Sequence, residues 1–210
     1  MYLPEAFVES DPDQLAAAIR AARVGHLISS GPMGLESTLL PLLWEKGGDH
    51  GHLVGHFAKA NSHWRRLDGI RALAIFTVTE SYISPSFYPS KAVDGKVVPT
   101  WNYVLVHAHG TVGVHQDVAW KEALVRRLTV RHESERNEPW SVDDAPRGYF
   151  DTMLNGIVGV EMVIDRIEGK WKLGQNRAAA DVEGIVAGLS AGSPADARTA
   201  TYTSRRLSDS

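Results

Sequence analysis

The run Gly55-His56-Phe57-Ala58-Lys59-Ala60-Asn61-Ser62-His63-Trp64 concentrates imidazole, ammonium and carboxamide groups at one point of the chain. Apolar segments flank it, Thr38-Leu39-Leu40-Pro41-Leu42-Leu43-Trp44 before and Ala72-Leu73-Ala74-Ile75-Phe76-Thr77 after. A strand that ends in His, Lys and Asn between two other strands can offer a cation and backbone N–H groups to a phosphate. Two later runs bring complementary chemistry, Pro99-Thr100-Trp101-Asn102-Tyr103 and Lys170-Trp171-Lys172-Leu173-Gly174-Gln175-Asn176-Arg177. Trp64, Trp101, Tyr103 and Trp171 can wall a planar ring. Asn61, Gln175 and Asn176 can hydrogen-bond its polar edge, and Lys172 and Arg177 add cations. The competing reading makes these tryptophans core and rim packing.

Other chemistries find less support. Nine histidines raise the question of a metal, and His50, His52 and His56 would share one strand face, with His63 nearby. No His-Glu-x-x-His occurs, and no third ligand at fixed spacing accompanies His107-x-His109, so a half-exposed polar strand face explains them and no metal site is expected. The absence of cysteine removes disulfides, thiolate metal sites and thiol catalysis. There is no Gly-x-Ser-x-Gly, no phosphate loop and no Gly-x-Gly-x-x-Gly, which argues against a serine hydrolase, a P-loop nucleotidase and a Rossmann enzyme. Asp117 to Arg131 reads as a helix carrying Lys121, Arg126, Arg127 and Arg131. Glu133, Glu135, Glu138 and Pro139 stand where the second helix of a helix-turn-helix would start. DNA is therefore a conceivable partner with no visible motif.

These groups need a scaffold. The 210 residues, 43% hydrophobic and 22% charged with a net charge of −3, describe an ordinary globular chain without the basic surplus of a nucleic-acid binder. The first residues show no basic region or apolar core, and no stretch nears the roughly 18 apolar residues of a membrane span. A cytoplasmic protein is expected, with no membrane partner. Asp11-Pro12 starts a helix that Gly25 would end. Strand patterns follow at His26–Ser30, Thr38–Trp44, Gly51–Ala60, Ala72–Thr79 and Trp101–Val114, with a turn at Gly31-Pro32-Met33-Gly34. The period then becomes helical after Asp117 and again from about Pro146 to Ile157, returns to alternation over Gly159–Ile167, and ends in a helix over Asp181–Leu189. The fold class is α+β, mainly β: a barrel or strongly curved sheet with peripheral helices, one domain over residues 1–189. Residues 190–210, rich in Ser, Ala, Gly, Thr and Arg, read as a flexible tail.

A point charge for a phosphate, amides for a pyrimidine edge and apolar walls for a ring together suit a flavin. The same residues carry a family resemblance. Met1-Tyr2-Leu3-Pro4, Thr38 with Pro41-Leu42-Leu43, Gly55 to Asn61 with Trp64, Ser81-Tyr82-Ile83-Ser84-Pro85-Ser86, Val98 to Tyr103, Leu128-Thr129 with His132-Glu133, and Gly169 to Arg177 occur in the order found in the PaiB-type FMN-binding negative transcriptional regulators. The chain resembles that family over about residues 1–189. The resemblance implies a split β-barrel of the FMN-binding and flavin-reductase type. It also implies a homodimer with FMN at the subunit interface and a regulatory role. By position, His56, Phe57, Ala58, Lys59 and Asn61 would hold the FMN phosphate and ribityl chain, and Thr38 and Leu39 would lie near the isoalloxazine. Trp101 and Asn102 would begin a neighbouring strand, with Lys172, Gln175, Asn176 and Arg177 closing the site. The chain departs from the family at Leu39, where a histidine is expected, and at Gly174, where a serine is expected. Two alternatives stand beside the regulator: a flavin-dependent oxidoreductase of the NAD(P)H:flavin reductase or oxidase kind, and an interaction module without cofactor.

Overall fold

The computed structural model describes residues 1–32 and 34–208. Among the described residues there are seven strands and five α-helices. They run β1 (Val8–Glu9), α1 (Pro12–Ala22), β2 (Val24–Gly31), β3 (Gly34–Glu45), β4 (His52–Ala58), β5 (Arg71–Ile83), β6 (Thr100–His115), α2 (Val118–Glu133), α3 (Arg147–Asn155), β7 (Ile157–Lys172), α4 (Ala179–Ser190) and α5 (Pro194–Ser208). The strand order is β1-β7-β4-β3-β2-β5-β6, and β6 pairs again with β7. The expected mainly β chain with peripheral helices is what forms. The chain divides into two compact units. One comprises Met1–Ala22, Phe76–His107 and Glu168–Ser210, the other Arg23–Ile75 and Ala108–Ile167.

In the second unit β2 and β3 form a hairpin in register from Val24 against Pro41 to Gly31 against Gly34. The expected turn sits there, with Met33 outside the described residues and Gly34 at φ +102°. Alternation sends Leu27 and Ser29 inward and leaves His26 and Ser30 outward. β4 lies between β3 and β7, pairing Leu42 with Gly55 on one side and Val158 with Phe57 on the other. α2 covers this sheet through Leu124 and Leu128 on Val54, with Leu43 and Trp120 at the edge. Gly159 makes that docking possible, because a Cβ there would stand 2.1 Å from the Trp120 ring. α3 closes a smaller core of Val142, Phe150 and Leu154. Its end is capped by Lys121 of α2, whose buried ammonium donates to Leu154 O at 2.7 Å. Burial, with Lys59 nearby, holds the Lys121 pKa below that of an ordinary lysine.

In the first unit Asp11 Oδ1 accepts from Asp13 N at 2.8 Å and starts α1 as expected. Arg23 at φ 65°, rather than Gly25, follows the end of this helix. α4 packs Ile185 and Leu189 against Ile83 and Tyr88. Of residues 190–210, expected as a flexible tail, Pro194–Ser208 form α5, and 209–210 lie outside the described residues. Ala200 joins the same core, while Thr199 Oγ1 bonds Thr79 Oγ1 at 2.6 Å and accepts from Ser81 Oγ at 2.9 Å. The composition suggested disorder because this helix docks through hydroxyls and alanine instead of large apolar side chains. β7 likewise runs five residues beyond the alternation read from Gly159 to Ile167 and carries Lys170, Trp171 and Lys172 into the sheet.

Candidate functional site

The Gly55–Trp64 run is the end of β4 and the turn after it. Strand alternation divides it: Phe57 is fully buried, while His56 is part-exposed and Ala58 exposed. His56 lines a cavity beside α2 together with Val125, Leu128 and Trp140. Its Nδ1 is buried with no hydrogen bond among the described residues, and burial pushes its pKa below the usual imidazole value. His56 and Phe57 therefore point to opposite faces of β4.

Beyond Ala58 the chain turns through a short 3-10 helix, Ser62–Arg66. Asn61 Oδ1 accepts from His63 N at 3.0 Å, and Trp64 Nε1 donates to Lys59 O at 3.0 Å. These bonds fix the turn. His63, 3% exposed, enters the core and meets Phe57 edge to face at 5.5 Å. Its Nε2 lies 2.9 Å from Ser29 Oγ, and its Nδ1 lies 2.9 Å from Thr38 Oγ1. Asn61 Nδ2 donates to Thr38 Oγ1 at 3.3 Å. The arrangement that satisfies every group has Thr38 donating to Nδ1 and Nε2–H donating to Ser29. Burial keeps His63 neutral by lowering its pKa, against the opposing pull of Glu36 and with help from Arg66. Glu36 and Arg66 form a two-pronged ion pair at 2.5 and 2.8 Å beside it. This relay was not read from the sequence. The signal was Ser29, a lone hydroxyl on the inward side of a strand, opposite Glu36 in register with Thr38 two residues on.

The relay consumes the polar atoms of Thr38 and Asn61, so both act on the protein's own backbone and side chains. Lys59 and Arg65 remain. Neither side chain makes a hydrogen bond or ion pair among the described residues, and Arg65 lies over the Trp64 ring at 5.4 Å. Leu39 is 55% exposed on β3 with Leu35 and Val24, on the outward face of the β2–β3 hairpin.

The second group of expected site residues belongs to the other unit. Trp101 is exposed, edge to face with Tyr82 at 5.9 Å, and Trp171 is core. Asn102 is buried below Gly174, with Nδ2 unpaired among the described residues. Lys172 donates to Thr100 Oγ1 at 2.7 Å and to Trp101 O, and burial with Lys170 and Arg177 nearby lowers its pKa. Gln175 closes the loop upon itself: its Oε1 accepts from Leu173 N at 2.8 Å and its Nε2 donates to Trp171 O at 2.5 Å. Asn176 is exposed. Arg177 rests on the Tyr88 ring, 4.1 Å from its centre. Of the basic helix read as a conceivable DNA contact, Arg126 is held by Glu122 and Asp143 and Arg127 by Glu45.

The architecture is that of the flavin-binding split-barrel class. Similar structures include the FAD and heme binding protein from Mycobacterium smegmatis, with a TM-score of 0.59 and 18% identity covering 86% of this chain and 80% of that one. Another is the flavocytochrome Anf3 from Azotobacter vinelandii, with a TM-score of 0.56 and 14% identity over 80% and 70%. The chain belongs to the family described as "Putative FMN-binding domain", whose profile matches residues 1–166. It is an FMN-binding split-barrel protein resembling the PaiB type. "Protease synthase and sporulation protein PAI 2" of Bacillus subtilis is 29% identical over 190 residues, 89% of this chain and 87% of that protein. An uncharacterized protein of Aspergillus fumigatus is 38% identical over 123 residues, 51% of this chain and 47% of its own length. The matched family span includes the Lys59 turn and ends before Lys172 to Arg177. No helix among the described residues is long and apolar enough to cross a membrane.

Proposed function

We propose that the turn after β4 holds the FMN phosphate, with Lys59 and Arg65 as its counter-charges. One observation carries this reading: two cationic side chains with no hydrogen-bond or ion-pair partner among the described residues, on one turn that Asn61 and Trp64 hold in place. A dianionic phosphate supplies the charge that the fold does not. Donor chemistry and family membership agree, so the residues fit the cofactor. Bound there, FMN would bring hydride chemistry to the site. The chain's own part is to fix the phosphate and, through the Thr38–His63 relay, to keep the turn rigid. The protein works as a cytoplasmic homodimer. The exposed apolar Val24, Leu35 and Leu39 of the β2–β3 face support this, because an unpaired apolar sheet face gains most from a symmetric partner.

The regulatory role expected from the resemblance to the PaiB type fits a route that does not read DNA through α2, since Arg126 and Arg127 are neutralised by carboxylates. The test is the visible spectrum of the purified chain after loading with FMN and desalting, with light scattering for mass. Wild type retains a flavin band at dimer mass. K59A and R65A each lose roughly tenfold or more in affinity, the worth of a hydrogen bond to a charged group. Retention unchanged in the K59A/R65A double variant would overturn the assignment.

A further inference from the structure

The first unit contains a cavity of about 170 Å³ between the Leu173–Arg177 loop, the start of α4 and the last turn of α5. Its apolar walls are Leu173, Ala179, Val182 and Leu207. Its polar lining consists of Gln175, Arg177, Thr203 and Arg206. Most of that polarity is already spent. Both amide atoms of Gln175 are bonded to the loop backbone, Thr203 Oγ1 donates to Thr199 O at 2.9 Å, and Arg206 pairs with Glu9 at 3.0 Å and donates to Val8 O.

Arg177 is the exception. Its guanidinium carbon lies over the buried ring of Tyr88, 4.1 Å from the centre, and the guanidinium forms no hydrogen bond or ion pair among the described residues. The contact with the ring holds the guanidinium in place and leaves its N–H donors unused. A planar guanidinium with free edges at an apolar cavity matches a carboxylate, which takes two parallel N–H···O bonds. The size of the space sets the rest of the ligand, since an apolar cavity of about 150 Å³ holds a benzene ring. Inorganic phosphate suits the site poorly, because one available guanidinium among hydrocarbon walls leaves most of its oxygens unbonded.

We infer that this cavity binds a small aromatic monocarboxylate of about one ring, its carboxylate on Arg177 and its ring against Leu173, Val182 and Leu207. The site is separate from the FMN-phosphate turn in its residues and does not depend on that assignment.

The probe is benzoate, titrated calorimetrically into the full chain, with benzyl alcohol and inorganic phosphate as comparison ligands. Wild type shows saturable binding of one benzoate per chain, at least about tenfold tighter than either comparison ligand, the difference a charged hydrogen bond makes. R177M keeps an apolar stem on Tyr88 but loses the donors, and weakens benzoate by about tenfold or more. V182W fills the space and abolishes binding. R177K, which keeps charge without the fork, lies between wild type and R177M and decides the matter should R177M fail to fold. Wild type without saturable binding below about 10 mM, or benzoate affinity equal in wild type and R177K, overturns the proposal. Inorganic phosphate binding as tightly as benzoate would do the same.

Discussion

Replacing Thr38 by valine tests the relay that holds the β4 turn. The substitution keeps side-chain volume and β-branching, so neither packing nor strand propensity changes much. It removes one oxygen, the acceptor for Asn61 Nδ2 at 3.3 Å and the partner of His63 Nδ1 at 2.9 Å. The two losses differ. Asn61 is half-buried and can turn to water. His63 is 3% exposed, so its Nδ1 is left dry and unpaired. An unpaired buried polar group costs about 1–3 kcal/mol. The extra buried methyl returns up to about 0.8 kcal/mol. The net loss is about 0.2–2.2 kcal/mol with a midpoint near 1 kcal/mol, which for a chain of this length lowers Tm by roughly 2–4 °C. Thermal and urea unfolding at pH 8, where His63 is neutral in both states, measure it. Thr38→Ser retains the hydroxyl and should fall by less than half as much. A larger drop in T38S than in T38V would show that the methyl group matters more than the relay. A T38V shift within about 1 °C of wild type would likewise refute the reasoning.

Two further outcomes follow from the same core. Burial depresses the folded-state pKa of His63 and His56 below 6.5, so the unfolded chain binds more protons at mildly acid pH. Stability is therefore fully present above the unfolded value and falls as pH drops from about 6.5 toward the folded values. A urea midpoint that stays flat or rises between pH 7 and pH 5 would contradict this. Gly159→Ala places a Cβ 2.1 Å from the Trp120 ring, which also stacks on His115 at 4.1 Å. The indole must move, at a cost of about 1–3 kcal/mol, with a changed near-ultraviolet circular dichroism signal. An unchanged signal would mean that α2 does not dock through that contact.

The elements were legible where one kind of periodicity dominated. β6 alternates along most of its length and stands where the pattern puts it, and α1 starts where Asp11-Pro12 announces it. α5 was not legible, because Thr199, Ala200 and Thr203 bury small or hydroxylated side chains that read as solvated in a sequence. The far end of β7 was missed for a related reason. Lys170 and Lys172 look exposed, yet Lys170 donates to Tyr2 O at 2.9 Å and lies over the Tyr2 and Tyr103 rings at 5.2 and 5.5 Å. Hydrophobic pattern alone cannot reveal a cation satisfied by carbonyls and aromatic faces. At the site, sequence order placed Lys59 at the end of a strand. It could not show that His56 and Phe57 diverge, since both stood inside one apparent motif.

Residue type names the groups able to bind a ligand, and the fold decides which of them are still free to do so. Asn61, Lys172 and Gln175 have the chemistry of ligand contacts, but each has its donors or acceptors engaged within its own unit. A ligand would have to break those bonds to use them, and a buried group losing its partner costs more than an ordinary hydrogen bond returns. Their role is to hold the backbone still. Lys59, Arg65 and Arg177 are the opposite case: strong donors whose side chains have no hydrogen-bond or ion-pair partner among the described residues, on the turn that Asn61 and Trp64 fix or over the Tyr88 ring. A free cation on a fixed support loses little entropy on binding an anion, which is the condition for affinity from few contacts. Hydrogen-bond accounting thus separates two sets that share one composition. It points to anions at these two places, where unpaired positive charge stands beside a fixed turn or ring.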